Sequence, residues 1–305
     1  MGLQLSYDYA SCIRSSEKVA WKIDDVMPEN TRIDFSRPFL PEGLFAINSI
    51  QCLSPAERLT LNHISGNAYV NLFAFVEEYI TAMAVNHAQA EMFGDHDAVR
   101  ALARFAEEEV KHQQLMWRFM KAFARDFKKP THVLEAAAAV AGVILSKSPL
   151  AVVAVTLHLE IMTQAHYTES VRDNTALDPL FSSLLKHHWM EEAQHARLDA
   201  LELAKMVNTA SPEQLKTCFD DYLGLIDAFD GLLKSQAEMD AQTLAEATGR
   251  VFTDAEKAEI VASQHKSYRY TFLVSGMTNK LFSEMITAIS PKDAQRIAEK
   301  ASTLC

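Results

Sequence analysis

Glycine and proline are scarce in this chain of 305 residues, nine of each, too few for a fold of short strands and tight turns. The four cysteines, Cys12, Cys52, Cys218 and Cys305, lie far apart and form no Cys-x-x-Cys pair. That excludes a rubredoxin-type or zinc-ribbon centre and gives no sign of a disulfide framework, so reduced thiols in the cytoplasm are the expectation. Lysine and arginine total 29 against 40 acidic residues, a formal net charge of −11, and a nucleic-acid partner requires clustered positive charge. The opening MGLQLSYDYASC has neither a basic start nor an apolar run, so no signal peptide is expected. Long apolar runs are missing as well. The most apolar segment, Ala136–Leu145, is ten residues long, about half of the ~20 that a membrane span needs; it reads as a buried helix, with no membrane as partner.

What is abundant is apolar residues, 49% of the chain, and signals for helix starts. Ser54-Pro55, Ser148-Pro149, Asp178-Pro179, Ser211-Pro212 and Ser290-Pro291 each place a capping oxygen before a proline, which is favoured at the first helical position because its missing N–H has no partner there anyway. Ser54/Glu57, Ser211/Gln214 and Thr253/Glu256 have capping-box spacing. These marks predict helices over about 55–92, 96–127, 132–146, 149–173, 179–208, 212–247, 254–288 and 291–302. Residues 1–53 carry Pro28, Pro38, Pro41 and Gly43 among Trp21, Phe35, Phe39 and Phe45, the pattern of an irregular arm that packs onto the rest. One domain over 1–305 is expected: the arm, a bundle over 55–208, and additional helices over 212–305.

Two Glu-x-x-His steps, Glu109–His112 and Glu192–His195, lie about eighty residues apart on separate predicted helices. Three residues advance about 300°, so each step puts a carboxylate and an imidazole on one face. Each is preceded by a glutamate inside an apolar helix, Glu77 or Glu78 in FAFVEEYITAM and Glu160 in AVTLHLEIM. The order Glu, Glu-x-x-His, Glu, Glu-x-x-His is that of a dimetal carboxylate site in a ferritin-like four-helix bundle, so the fold expected is all-α. Four buried carboxylates without cations would be very costly; two divalent ions balance them, with the histidines neutral. Oxygen-rich ligation with imidazole and no thiolate favours two iron ions, or manganese or a mixed Mn/Fe pair, over structural zinc. On the first helix, Glu78 lies nearer the direction of Asn67 and Asn71 and Glu77 nearer Phe73 and Ile80. A polar stripe facing the cluster favours Glu78.

The last helix carries a third imidazole. In His188-x-x-x-Glu192-x-x-His195 the three side chains fall within about 60° of one another. Here the chain resembles the p-aminobenzoate N-oxygenase family, whose di-iron site has a histidine one turn before the helix-4 glutamate. The resemblance covers roughly residues 55–210, and Glu109, His112, Glu160, His188, Glu192 and His195 map onto its ligand positions. It implies a non-haem di-iron monooxygenase that oxidises a small molecule with O₂, an amine above all. A homodimer is compatible with the resemblance and with the spare helices after residue 212.

The plainer readings are that a single Glu-x-x-His is usually a solvated pair and a single histidine usually structural; repetition on two helices is what favours metal. Glu107, Glu108 and Glu191 read as solvated or supporting acids, and His158, His166 and His187 as ordinary helix residues. Alternative activities for the same site are a hydroxylase or desaturase acting on carbon, a ferritin-like ferroxidase or storage protein, and a scaffold that has lost its metal. No Gly-rich phosphate loop or iron–sulfur cysteine set is present, so electrons must come from outside, from a ferredoxin, a flavoprotein reductase or peroxide.

Overall fold

Residues 3–305 are described by a computed structural model and, among them, regular structure is entirely helical. Two short helices, α1 (Tyr9–Val19) and α2 (Ile23–Val26), precede four long ones: α3 (Pro55–Ala90), α4 (His96–Phe127), α6 (Pro149–His166) and α7 (Pro179–Val207), with α5 (Ala137–Leu145) between the second and third. Then follow α8 (Pro212–Thr248), α9 (Asp254–Arg269), the short α10 (Ser275–Met277), α11 (Lys280–Ile289) and α12 (Pro291–Leu304). The ferritin-like bundle is formed by α3 packed on α4 and α6 packed on α7, and α8 lies across α3 and α6. Because α8 closes that side, α6 is buried all round from Leu150 to Thr163, which is why it is apolar on every face and not amphipathic. By length and composition α3 would cross a membrane, but 72% of its most apolar window is buried inside the protein.

All three capping boxes form, at Ser54/Glu57, Ser211/Gln214 and Thr253/Glu256. Asp178 and Ser290 also cap their helices, whereas Ser148 starts α6 without a side-chain hydrogen bond.

The helices depart from the sequence expectation in four places. The arm is not merely irregular: α1 is a helix of 11 residues with an Asp8/Ser11 capping box, a cap without the Glu or Gln that makes such boxes conspicuous. Residues 132–136 are not helical, because side chains of α8 hold them extended: Thr243 Oγ1 accepts from His132 N at 3.0 Å and Gln236 Oε1 from Leu134 N at 3.1 Å. The stretch 254–288 is interrupted after Met277, where Asn279 caps α11. Finally, α5 is a surface helix in which only Ile144 is buried, with Val143 52% exposed. Its run of alanines is short and narrow enough to lie on α3 without being enclosed.

The arm is nevertheless locked to the bundle. Asn62 on α3 accepts from Phe39 N at 2.7 Å and Leu40 N at 3.1 Å and donates to Leu40 O at 2.8 Å. Phe39 stacks on Phe181 at 5.0 Å and presses so closely on Gly66 that a Cβ there would meet it at 2.8 Å. One hydrophobic core runs from Cys12 in α1 to Leu304 in α12.

Candidate metal centre

Halfway along the bundle, all four long helices point acids at one another. Glu77 from α3, Glu109 and His112 from α4, Glu160 from α6, and His188, Glu192 and His195 from α7 are all buried. Two groups have ligand atoms within 4.8 Å of one another: Glu77, His112, His188 and Glu192, and Glu109, His112, Glu192 and His195. They share His112 and Glu192, the arrangement of two adjacent sites joined by a common carboxylate. Glu160 lines the same small cavity as Glu77, Glu109, His188 and Glu192 and hydrogen-bonds Glu192.

On α3 the cluster is reached by Glu77 and not by Glu78. Glu77 is 2% exposed, with Oε1 3.0 Å from His188 Nε2, while Glu78 is half-buried on the neighbouring face. The polar stripe that favoured Glu78 has a different duty: Asn71 donates to Leu134 O at 3.0 Å, pinning the extended segment after α4. The side facing the metal is marked instead by Phe73, whose ring meets His188 edge-on at 5.2 Å.

Two acids that the sequence leaves as solvated or supporting groups complete the arrangement. His112 Nε2 lies 2.9 Å from Glu191 Oε2, and His195 Nε2 lies 2.8 Å from Glu108 Oε2. Each is the residue directly before the inward glutamate of its own helix, and each reaches across to the histidine of the other. The bracing is reciprocal between α4 and α7. It is legible in the sequence once noticed, since both motifs read Glu-Glu-x-x-His. Glu107, by contrast, is exposed. Lys111 Nζ holds Glu191 at 2.5 Å and also lies 4.4 Å over the Trp21 ring, which itself stacks on His112 at 5.9 Å. On the other side Ser16 donates to Glu108. The arm therefore supports both braces.

These braces set the tautomers. With Nε2–H donating to a carboxylate, the Nδ1 lone pair of each ring faces the cluster. His112 Nδ1 stands 3.1 Å from Glu192 Oε1, and His195 Nδ1 stands 2.8 Å from Glu109 Oε1. His112 Nδ1, both oxygens of Glu109 and Glu77 Oε2 are buried without a hydrogen-bond partner. Lone pairs opposed to carboxylate oxygens repel unless a cation or a proton stands between them. The donor set, four carboxylates and three imidazoles, fits two divalent ions by charge and by type.

The titration behaviour of the site follows from the same crowding. Burial pushes the Glu77 carboxyl up to about 7, partly offset by its bond to His188. Burial also raises Glu109 and Glu160, each helped by the Glu192 charge. Burial works against Glu192 too, but His188 and His195 outweigh it and hold this acid well below the usual range. Against the cost of burial, Glu192 holds His188 up at about 9, and carboxylate neighbours raise His112 and His195 well above their ordinary value. For Glu108, burial is overcome by His195, and its carboxyl falls to about 2.

The immediate surroundings are apolar and tight: Phe73, Val76, Ile80 and Leu159 wall a cavity of about 10 Å³ over Glu77 and Glu160. A cleft of about 870 Å³ lies against α6 and α7, and none of the clustered acids or imidazoles lines it. His158 and His166 belong to the packing against the later helices, through Tyr222 Oη at 2.7 Å and Ser275 Oγ at 2.9 Å. His187 Nδ1 bonds Ser183 O at 2.7 Å, and the ring meets Trp21 edge-on.

The family described as P-aminobenzoate N-oxygenase AurF matches residues 10–263, well over half of the chain. No curated protein sequence matches. Among solved structures, one variant of an R2-like ligand-binding oxidase with an anaerobically reconstituted Mn/Fe cofactor is similar at 15% identity and TM-score 0.44, covering 86% of this chain and 90% of that one. A second variant with an aerobically reconstituted Mn/Fe cofactor is similar at 18% identity and TM-score 0.41, with the same coverage of 86% and 90%.

Proposed function

The chain belongs to the p-aminobenzoate N-oxygenase AurF family, and from that premise we propose that it N-oxygenates an amine. It is an oxidoreductase with a di-metal centre, and an oxygenase of this family uses O₂ and a small-molecule substrate. The ligands in our reading are Glu77, Glu109, His112, Glu160, His188, Glu192 and His195, with iron the metal. Support for the metal role comes above all from one observation: the Glu109 carboxylate is fully buried, with Oε2 free of any partner and Oε1 facing only His195 Nδ1 at 2.8 Å. The amine rests on the family's description.

When bound, the metal pair supplies the redox chemistry with O₂ that no protein side chain provides. The protein's own residues supply the rest. Glu108 and Glu191 hold two imidazoles in the tautomer that presents Nδ1. Phe73, Val76, Ile80 and Leu159 keep bulk water from the acids. For the first step the balance is R–NH₂ + O₂ + 2e⁻ + 2H⁺ → R–NHOH + H₂O. The electrons come from a ferredoxin or flavoprotein in this proposal, and a homodimer is its expected assembly.

The test is a single turnover of iron-loaded, chemically reduced protein with ¹⁸O₂ and p-aminobenzoate as probe. Label on the nitrogen supports N-oxygenation. Label on carbon, or iron oxidation with continued iron uptake and no labelled organic product, overturns it in favour of a hydroxylase or a ferroxidase.

A further inference from the structure

One buried acid is used by nothing described so far. Asp199 lies on α7 one turn beyond His195 and continues the line of His188, Glu192 and His195 along the same face. It is 1% exposed, and its Oδ2 has no hydrogen-bond partner. A buried carboxyl without a partner costs on the order of 1–3 kcal/mol, and nothing in the packing repays it here. Next along the helix comes Glu202, whose Oε2 lies 2.6 Å from His87 Nδ1 and whose Oε1 accepts from Tyr9 Oη at 2.5 Å. His87 and Glu202 line a cavity of about 360 Å³ at this end of the bundle, walled also by Lys147 and Lys205. At about 1.5 Å rise per residue, Asp199 stands about 6 Å along the axis from His195 and about 4.5 Å from Glu202.

We propose that Asp199 is a proton relay: protons enter at His87 and Glu202, pass to Asp199, and reach the cluster from there. This rests on the oxygenase reading, whose balance consumes two protons per oxygen inserted at a site walled off from water. In each delivery the Asp199 O–H bond breaks and the proton goes to the oxygen atom that leaves as water. The carboxylate left behind takes a proton from the Glu202–His87 pair, which is refilled from solvent through the cavity. Only protons move along this line; the electrons come from the external protein donor.

The titratable surroundings suit the task. The groups that act on Asp199 are His195, Glu109 and Glu192 on the cluster side and Glu202 on the other. Tyr79 from α3 is a further titratable group near it, raised chiefly by burial, and its hydroxyl accepts from Thr156 Oγ1 at 3.3 Å. Burial raises the Asp199 carboxyl well above the usual carboxylate range, against the opposing pull of His195, and its Oδ2 has no donor to hold it ionised. Glu202 is shifted the other way: burial is outweighed by His87 and Tyr9. An acid without a hydrogen-bond donor thus sits between the Glu202 carboxylate at the cavity and a site that needs a proton.

The experiment is infrared spectroscopy of the full-length, iron-loaded protein on transfer to D₂O, with product formation measured in parallel. Asp199→Asn is expected to remove one protonated-carboxyl band from the spectrum. It should keep the native iron count and KM while slowing turnover by about tenfold or more, within the range for a lost acid–base group. Glu202→Gln is expected to leave the band in place and slow its deuterium exchange by a similar factor. The band of Asp240, a buried carboxyl held by Tyr268 and Gln236 elsewhere in the fold, should not change in that variant. No band lost in Asp199→Asn, or native exchange in Glu202→Gln, overturns the relay. Because band and exchange are read without turnover, a protein that fails to oxygenate amines still tests the relay separately. If Asp199→Asn does not fold, the exchange rate in Glu202→Gln decides alone.

Discussion

Replacing Glu191 by Gln tests the reciprocal bracing with the smallest change of shape. In the native site Glu191 Oε1 takes Lys111 Nζ at 2.5 Å and Oε2 takes His112 Nε2 at 2.9 Å. Both partners are donors, and a carboxylate satisfies both. A glutamine has one acceptor oxygen, and the Lys111 cation claims it. The amide NH₂ then faces His112 Nε2, and two donors meet unless the imidazole moves its proton to Nδ1, the nitrogen facing the cluster. Losing such a support of a metal-bound histidine typically weakens metal affinity about 10–100-fold, or roughly 1.4–2.7 kcal/mol. The assay is an anaerobic Fe(II) titration against a competing chelator, with urea unfolding to confirm the fold. Glu108→Gln should behave alike for His195, with Ser16 holding the remaining oxygen. Exposed Glu107→Gln is the control and should change nothing. Affinities for both brace variants within about twofold of native would refute the tautomer argument.

Three other outcomes follow from the geometry. Glu77→Ala should lower bound iron below the native count, whereas Glu78→Ala should retain it; metal analysis after desalting distinguishes them, and the reverse result would restore the helical-wheel assignment. Iron affinity should rise with pH, because a metal must displace protons that the metal-free site holds: below about 7 both Glu77 and His188 keep theirs, between about 7 and about 9 only His188 does, and above that range these two groups contribute no further slope. Titration calorimetry in buffers of different ionisation enthalpy counts the released protons, and a count that does not fall between pH 6 and 8 contradicts it. Gly66→Ala should destabilise by about 1–3 kcal/mol through the 2.8 Å approach to Phe39. Gly224→Ala and Gly231→Ala, with nothing within 4 Å, should stabilise by up to about 1 kcal/mol through helix propensity; thermal melts give the sign in each case.

Much of this protein is local chemistry, and local chemistry is legible in a sequence. The helix starts at Pro55, Pro179, Pro212 and Asp254 are set by caps within three residues of each, and both Glu-x-x-His steps follow from helical spacing alone. Charge balance among Glu109, Glu160, Glu192 and one α3 glutamate identifies the kind of metal site before any coordinates are known. What a helical wheel lacks is the identity of the neighbour on each side. Asn67 and Asn71 look like a stripe facing the cluster until Asn71 is seen to bond Leu134 O in the segment after α4. It is Glu77, and not Glu78, that reaches the cluster. Likewise, apolar α5 is exposed because α3 covers only one of its faces, a matter of topology and not of composition. The braces Glu108 and Glu191, the Trp21 stack on His112 and the line from Asp199 to Glu202 each join residues about eighty or more apart in the chain, or one helix face to an open cavity. The sequence by itself determined most helix starts and the types of candidate ligand, because these depend on residues within a turn or two of each other. Only the tertiary structure decided which acid faces the cluster and which acids hold its histidines, because those depend on how the helices pack against one another.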